Sequence, residues 1–480
     1  MTRDRSHLLT WMLVLALGLG VTPVTALPAD AARVPDRSFA LQDDDDGEVD
    51  GDDDVGDDDA GDDADVPTGD DGADDDDTAP AVQPVGPAVT DDDGDPATDG
   101  YIASQAVVRL DVGADLAALN ARYGTVTLAE VEGRPIALLA LPPTGDDLGL
   151  TAVIATDGDV AWAEVNGVGS APEGRPQEFF LSGTATLTGS ADHYAPELIG
   201  ATRSSCATGE GVTVAVIDTG VEVAHPLLDG RLGLPGRNLL TGGEDIADLG
   251  DGLDNDADGI TDEMTGHGTH VAGIIAQVAP GATILPIKAL DSDGSGEAFR
   301  VARAIFFAID AGADVINLSL GSTRDTRVIA DAVAEARAAG IVVVAAAGNA
   351  DRATPVEFPA ADDNVIGIAA TDAEDRKSTF SNYHAGVDLS APGTDIASAY
   401  PGQTYAVWSG TSMSTPFVAA GAALLLEQNP SWSPERLVDH LGETAQPFTG
   451  VTADTAYAGL LGAGRLDVAA ATACEDAPGT

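Results

Sequence analysis

Residues 266–277 read GHGTHVAGIIAQ, with His267 and His270 three apart at the head of an apolar, helix-like run. An imidazole placed there can move a proton, but only with partners supplied by other parts of the chain. Three stretches offer them. Asp218 closes the apolar run VTVAVID, Asn349 follows the glycine of VVVAAAGN, and Ser412 follows Gly410 and Thr411 at the head of GTSMSTPFVAAGAALLLEQ. Taken singly, an aspartate or asparagine at a strand end serves a turn, and a serine at a helix start is an N-cap. Taken together they form a set. A serine hydroxyl becomes a nucleophile when an imidazole takes its proton, and that imidazole needs a carboxylate to fix its tautomer. The helix N-terminus around Ser412 and the amide of Asn349 can both donate to a developing oxyanion. The chemistry implied is acyl transfer.

The elements that must position these residues are legible from about Gly211 onward. The runs VTVAVID, TILPIKAL, DVINLSL, GIVVVAAAG and NVIGIAA alternate with helical stretches such as EAFRVARAIFFAIDAG and VIADAVAEARAAG. Runs without polar alternation predict strands buried on both faces, hence a mainly parallel central sheet between layers of helices. In such α/β sheets functional side chains gather at the carboxyl ends of strands and at the helix starts that follow. Asp218, His267 and Ser412 all fall at junctions of this kind, so one rim of the sheet can collect them. Upstream, residues 101–169 read β-α-β-β-α-β and predict a small α+β, ferredoxin-like sandwich. Residues 170–195 read as a linker.

The motifs DTG at 218–220, GHGTHVAG at 266–273, AAGN at 346–349 and GTSMSTP at 410–416 resemble those of the subtilisin-like serine proteases, in the same order. The similarity runs from about residue 195 to 471, and the catalytic domain is placed at 196–475. It implies the three-layer subtilisin-like fold, with Asp218 orienting His267 as general base, Ser412 as nucleophile and Asn349 in the oxyanion hole. His270 matches a structural position. Ser319, Leu320 and Gly321 match the strand that pairs with the substrate backbone. The ferredoxin-like unit resembles the family's propeptide, an intramolecular inhibitor, with the processing site in 170–195. Polypeptide substrates, a monomer and chemistry that needs no cofactor are further implications. Two other classes remain: a catalytically silent relative that binds peptides in the same cleft, and an acidic calcium-binding surface protein.

The chain departs from the pattern in places. HPLL follows the DTG motif where many relatives have HPDL, so Leu227 stands at a calcium-site aspartate, and Phe417 replaces a histidine in the nucleophile motif. Between Asp218 and His267 an acidic insertion places Asp254, Asp256, Asp258, Gly259 and Asp262 at D-x-D-x-D-G-x-x-D spacing. Hard oxygens around a glycine turn suit structural Ca²⁺, although Thr265 stands where the helix–loop–helix signature wants glutamate. The alternative is a solvated acidic loop.

Composition bounds the rest. The net charge is −58 over 480 residues, and positions 43–99 hold 26 of the 80 acidic residues with neither Lys nor Arg. Such a balance excludes a basic nucleic-acid footprint. Residues 1–31 have the layout of a secretory signal, with Arg3 and Arg5 ahead of an apolar stretch from Leu8 to Val21. That stretch is too short to span a bilayer, so export without an integral membrane segment is expected. The Asp-rich segment 32–100 lacks apolar periodicity and predicts disorder. Export would place Cys206 and Cys474 where a disulfide can form.

Overall fold

A computed structural model describes residues 88–89, 100–174, 194–203, 206–233, 235–448 and 456–473. The signal segment, the Asp-rich runs and Cys474 lie outside the described residues. Strand β1 (Ala88–Val89) pairs with β2 (Tyr101–Leu110). There follow α1 (Leu116–Tyr123), β3 (Val126–Glu130), β4 (Ile136–Ala140), α2 (Asp147–Ile154) and β5 (Val160–Ser170). The strands form an antiparallel sheet in the order β3-β4-β2-β5, the ferredoxin-like arrangement expected. Asp115 caps α1 by accepting the amide N–H groups of Ala117 and Ala118, and Asp146 caps α2 through Gly149.

Alternation along β2 sends neighbouring valines to opposite faces. Val108 packs with Leu119, Leu139 and Ile154 beneath α1 and α2. Val107 joins Leu138 and Trp162 in the core of the larger region. Polar contacts pin the same face: Trp162 Nε1 donates to Asp331 (2.9 Å), and Arg134 pairs with Asp310 (2.8 Å) and Glu335 (2.6 Å). The small unit is therefore docked through one sheet face and buried on both.

The larger region begins with α3 (Tyr194–Leu198), β6 (Thr213–Asp218) and β7 (Arg237–Asn238). Next come α4 (His267–Val278), β8 (Thr283–Lys288), β9 (Ser295–Glu297), α5 (Ala298–Asp310) and β10 (Val315–Leu318). After α6 (Arg327–Ala338), β11 (Val342–Ala346), β12 (Ile366–Thr371) and β13 (Val387–Pro392), the hairpin of β14 (Ile396–Tyr400) and β15 (Thr404–Trp408) leads to α7 (Thr411–Gln428). Helices α8 (Pro434–Thr444) and α9 (Val468–Thr472) close the described chain. Seven strands form one parallel sheet in the order β13-β12-β11-β10-β6-β8-β7. Helices α4 and α7 cover one face, and α5 and α6 the other. Helix α7 is buried from Thr411 to Leu426, which accounts for its apolar sequence on every side.

Strand β5 continues past the small unit. Val168, Gly169 and Ser170 pair antiparallel with Glu297, Gly296 and Ser295. Ser170 also exchanges backbone hydrogen bonds with Gly321 (3.1 and 2.9 Å). The chain expected to act as linker from residue 170 thus begins inside the larger region, as a strand between two others. Cys206 is disulfide-bonded. Among the described residues no helix is long and apolar enough to cross a membrane.

Candidate active site

Three strand-to-helix junctions meet on one rim. Asp218 ends β6, His267 opens α4 and Ser412 stands at the second residue of α7; all three are essentially buried. His267 Nδ1 lies 2.7 Å from Asp218 Oδ1, which also accepts the N–H of Thr219. That leaves Nε2 facing the cleft. The start of α4 is shaped by Gly266, whose φ of 96° is in the left-handed region and whose missing Cβ would meet the Tyr400 ring at 2.4 Å.

Asn349 is oriented from behind. Its Oδ1 accepts both the backbone N–H (2.9 Å) and the hydroxyl (2.8 Å) of Thr411, so its Nδ2 points at the cleft. Helix α7 has no side-chain cap, because Gly410 precedes it, and its first amides stay available to an anion. Ser319 packs against Ser412: its hydroxyl donates to Ser412 O (2.9 Å), while Ser412 Oγ lies 3.3 Å from Ser319 O. Leu320 is buried, and Gly321 meets Ser170 through its backbone as described above.

A residue that local pattern did not single out completes the site. Pro172–Gly174 form a single 3₁₀ turn that places Glu173, only 4% exposed, against all of these groups. Glu173 Oε2 accepts a 2.6 Å hydrogen bond from Ser412 Oγ and lies 3.3 Å from His267 Nε2. Its Oε1 accepts from Asn349 Nδ2 at 2.8 Å. A Cβ on Gly410 would overlap that oxygen, so only glycine admits the carboxylate. Burial opposes a charge on His267, but Asp218 and Glu173 outweigh it and push the imidazole up to about 10. Burial also works against the Glu173 anion, yet His267, Ser412 and Asn349 hold its carboxyl below the usual range. His267 thus lies between two carboxyl groups, a setting that favours its protonated form.

Asp248 is a second residue outside the recognised motifs. Its buried carboxylate accepts from Thr219 Oγ1 (3.0 Å), Gly266 N (2.9 Å), Thr269 N (3.0 Å) and Thr269 Oγ1 (2.7 Å). It thereby ties the turn after Asp218 to the first turn of α4. His270 is structural: its Nε2 faces Ile396 O and Ala406 O, and its ring stacks on Trp408.

In the acidic insertion, carboxylate oxygens of Asp254, Asp256 and Asp293 lie close together, as do those of Asp256, Asp258 and Glu263. Asp262, expected in this set, turns instead to the amide N–H groups of Asp251 and Gly252. Asp293 and Glu263 take part although they fall outside the spacing: Asp293 sits in a later loop, and Glu263 follows the register by one residue.

The subtilase family profile matches residues 209–464, just over half of the chain. Subtilisin BL of Lederbergia lenta is 39% identical over 274 residues, covering 55% of this chain and 92% of that protein. Thermitase of Thermoactinomyces vulgaris is 42% identical over 272 residues, covering 54% and 91%. Fervidolysin from Fervidobacterium pennivorans, described as a keratinolytic enzyme related to subtilisin, matches in structure with a TM-score of 0.64 at 24% identity. That match covers 84% of this chain and 65% of fervidolysin, and it speaks to the fold. The chain belongs to the subtilase family, and its class is that of a serine-type endopeptidase.

Proposed function

We propose that the chain is a secreted endopeptidase, made as a self-processing zymogen, that cleaves polypeptides through an acyl-enzyme on Ser412. The observation that carries this reading is the convergence of Ser412 Oγ, His267 Nε2 and Asn349 Nδ2 on one carboxylate, with Asp218 behind the imidazole. Hydrolysis of a peptide bond also yields a carboxylate, so groups gathered around one are placed to act on its precursor. With the cleft free, neutral His267 takes the proton of Ser412 as its oxygen attacks the carbonyl carbon. Asn349 Nδ2 and the N-terminal amides of α7 stabilise the oxyanion, and His267 hands the proton to the leaving amine. Water then releases the acyl group by the same route. Substrates lie extended between Ser295–Glu297 and Gly321, as residues 168–170 do. The βαββαβ unit is the propeptide and acts as an intramolecular inhibitor.

The chemistry needs no cofactor. The acidic insertion fits a structural Ca²⁺ by two observations. Both carboxylate oxygens of Glu263 are buried without a hydrogen-bond partner, and burial pushes this group up to about 7, with Asp293, Asp256 and Asp258 adding to the shift. Asp256, Asp258 and Glu263 would hold the ion, with Asp254 and Asp293 grouped beside the shared Asp256, and its role would be to stabilise the loop.

The test is intact mass and casein hydrolysis for the wild type and Ser412→Ala, each with and without calcium, together with labelling by a fluorophosphonate. The wild type is expected to shed the segment ahead of about residue 195, digest casein and take one label, and Ser412→Ala to do none of these. A folded wild type that stays inert and unlabelled after its N-terminal segment has been removed would overturn the reading.

A further inference from the structure

The pairing of Ser170 with Gly321 fixes a register. In an antiparallel pair each step forward on one strand is a step back on the other, so an extended chain would set residue 172 opposite Ser319. Ser319 O is the carbonyl beside Ser412 Oγ. In this register the bond offered to the nucleophile would be Pro172–Glu173. Two features keep it from being offered. Pro172 has no N–H to give Ser319 O, and the chain leaves the extended path there for the turn Pro172–Gly174. The Glu173 side chain enters instead.

We propose, building on the peptidase reading above, that Glu173 is a built-in product mimic: its side-chain carboxylate, rather than the paired backbone alone, keeps the unprocessed chain inert. Peptide hydrolysis leaves a carboxylate whose two oxygens sit where the carbonyl oxygen and the attacking oxygen were. Glu173 reproduces that arrangement, with Oε1 on the oxyanion donor Asn349 and Oε2 on Ser412 and His267. Unlike a true product, it carries no bond that the site can re-form or cut, and its covalent attachment to β5 gives it a high local concentration. Placed 3.3 Å from His267 Nε2, it also favours the protonated imidazole, which has no lone pair there for the serine proton. The first self-cleavage therefore falls beyond Gly174, and the excised segment keeps Glu173.

The experiment uses the full chain as wild type, Glu173→Gln and Glu173→Ala, refolded in the presence of a fluorophosphonate probe and sampled over time. Gel separation of the 48.3 kDa chain from the processed enzyme reports the two states apart. The unprocessed wild-type band is expected to label slowly. In Glu173→Ala, which loses two charge-assisted hydrogen bonds and an ion pair, the same band should label about 10- to 100-fold faster. Glu173→Gln, which keeps the shape and loses the charge, should fall between them. Mass analysis of the shed wild-type segment should place its end after Gly174. Equal labelling of the unprocessed bands in all three proteins, with circular dichroism confirming folded chains, overturns the inference and leaves strand pairing as the block. A wild-type segment ending at Pro172 overturns it as well. The processed band separates the two readings: if it labels, the peptidase reading stands whatever Glu173 does, and if no band of any variant labels, both readings fall.

Discussion

Replacing Asp248 with asparagine tests whether one buried carboxylate holds the two halves of the His267–Asp218 pair in place. Four donors converge on it, two of them backbone N–H groups that cannot reverse their role. An asparagine offers one acceptor oxygen, which serves either the Thr219 and Gly266 side or the Thr269 side. Its NH₂ then faces the other side; the hydroxyl there can rotate to accept, but the amide N–H is stranded. A buried donor without an acceptor costs about 1–3 kcal/mol. Loss of charge assistance in the surviving bonds adds to this, and relief of the desolvated anion subtracts from it, for a net loss of about 2 kcal/mol. The assay is urea unfolding in a Ser412→Ala background, which removes self-digestion. The sign with pH also follows. Burial raises the carboxyl of Asp248 above its unfolded value despite its hydrogen bonds. Its contribution is therefore full below the unfolded pKa and declines as pH rises through the folded one, a slope that Asp248→Asn should lack. In the active background, displacement of His267 should lower kcat/KM by about 10-fold or more. A variant within about 0.5 kcal/mol of its parent, with kcat/KM intact, would refute the assignment of Asp248 as a positioning residue.

Three further outcomes are expected. Asn349→Ala, measured on processed enzyme, should lower kcat by about 10²–10³-fold with little change in KM, because the lost donor acts on the developing oxyanion. A parallel fall in affinity for uncleaved peptides would argue for a ground-state contact instead. Gly266→Ala should destabilise the Ser412→Ala protein by more than about 2 kcal/mol in urea, since a positive φ and a clash with Tyr400 add together. Calcium should raise the melting temperature of Ser412→Ala more at pH 8 than at pH 5. Glu263, raised to about 7 in the folded chain, erodes stability as pH climbs from its unfolded value through 7, and a bound cation would remove that loss. A calcium effect independent of pH, or abolished by Asp262→Asn but not by Glu263→Gln, would point to another site.

The parts of the site that local sequence exposed are those tied to backbone periodicity. Apolar runs ending in Asp218 and in the turn before Asn349, and apolar helices opening at His267 and Ser412, mark the rim because strands and helices must end there. The βαββαβ order was legible for the same reason. What escaped is pairing between distant side chains. Glu173 reaches Ser412 across 239 positions of sequence from a stretch whose Pro and Gly read as linker. Asp248 is one aspartate among many in an acid-rich loop. Asp262 has the spacing of a ligand, yet nearby amides engage its carboxylate, whereas the carboxylate of Asp293, from beyond α4 and β8, comes close to those of Asp254 and Asp256.

The strand formed by residues 168–170 has a colloidal consequence. Wherever it withdraws, β9 and the segment at Gly321 are left facing each other with unpaired backbone groups, a sheet one strand short. Exposed edges of this kind invite pairing with a second copy of the same chain. The processed chain loses the Asp-rich run, yet residues 196–480 still hold 39 Asp and Glu against 14 Lys and Arg, so two such copies repel on approach and the acidic surface guards an opening that the fold itself cannot close. That protection is electrostatic and hence conditional. At an ionic strength near 1 M the screening length shrinks to about 3 Å, and an emptied cleft becomes an adhesive one.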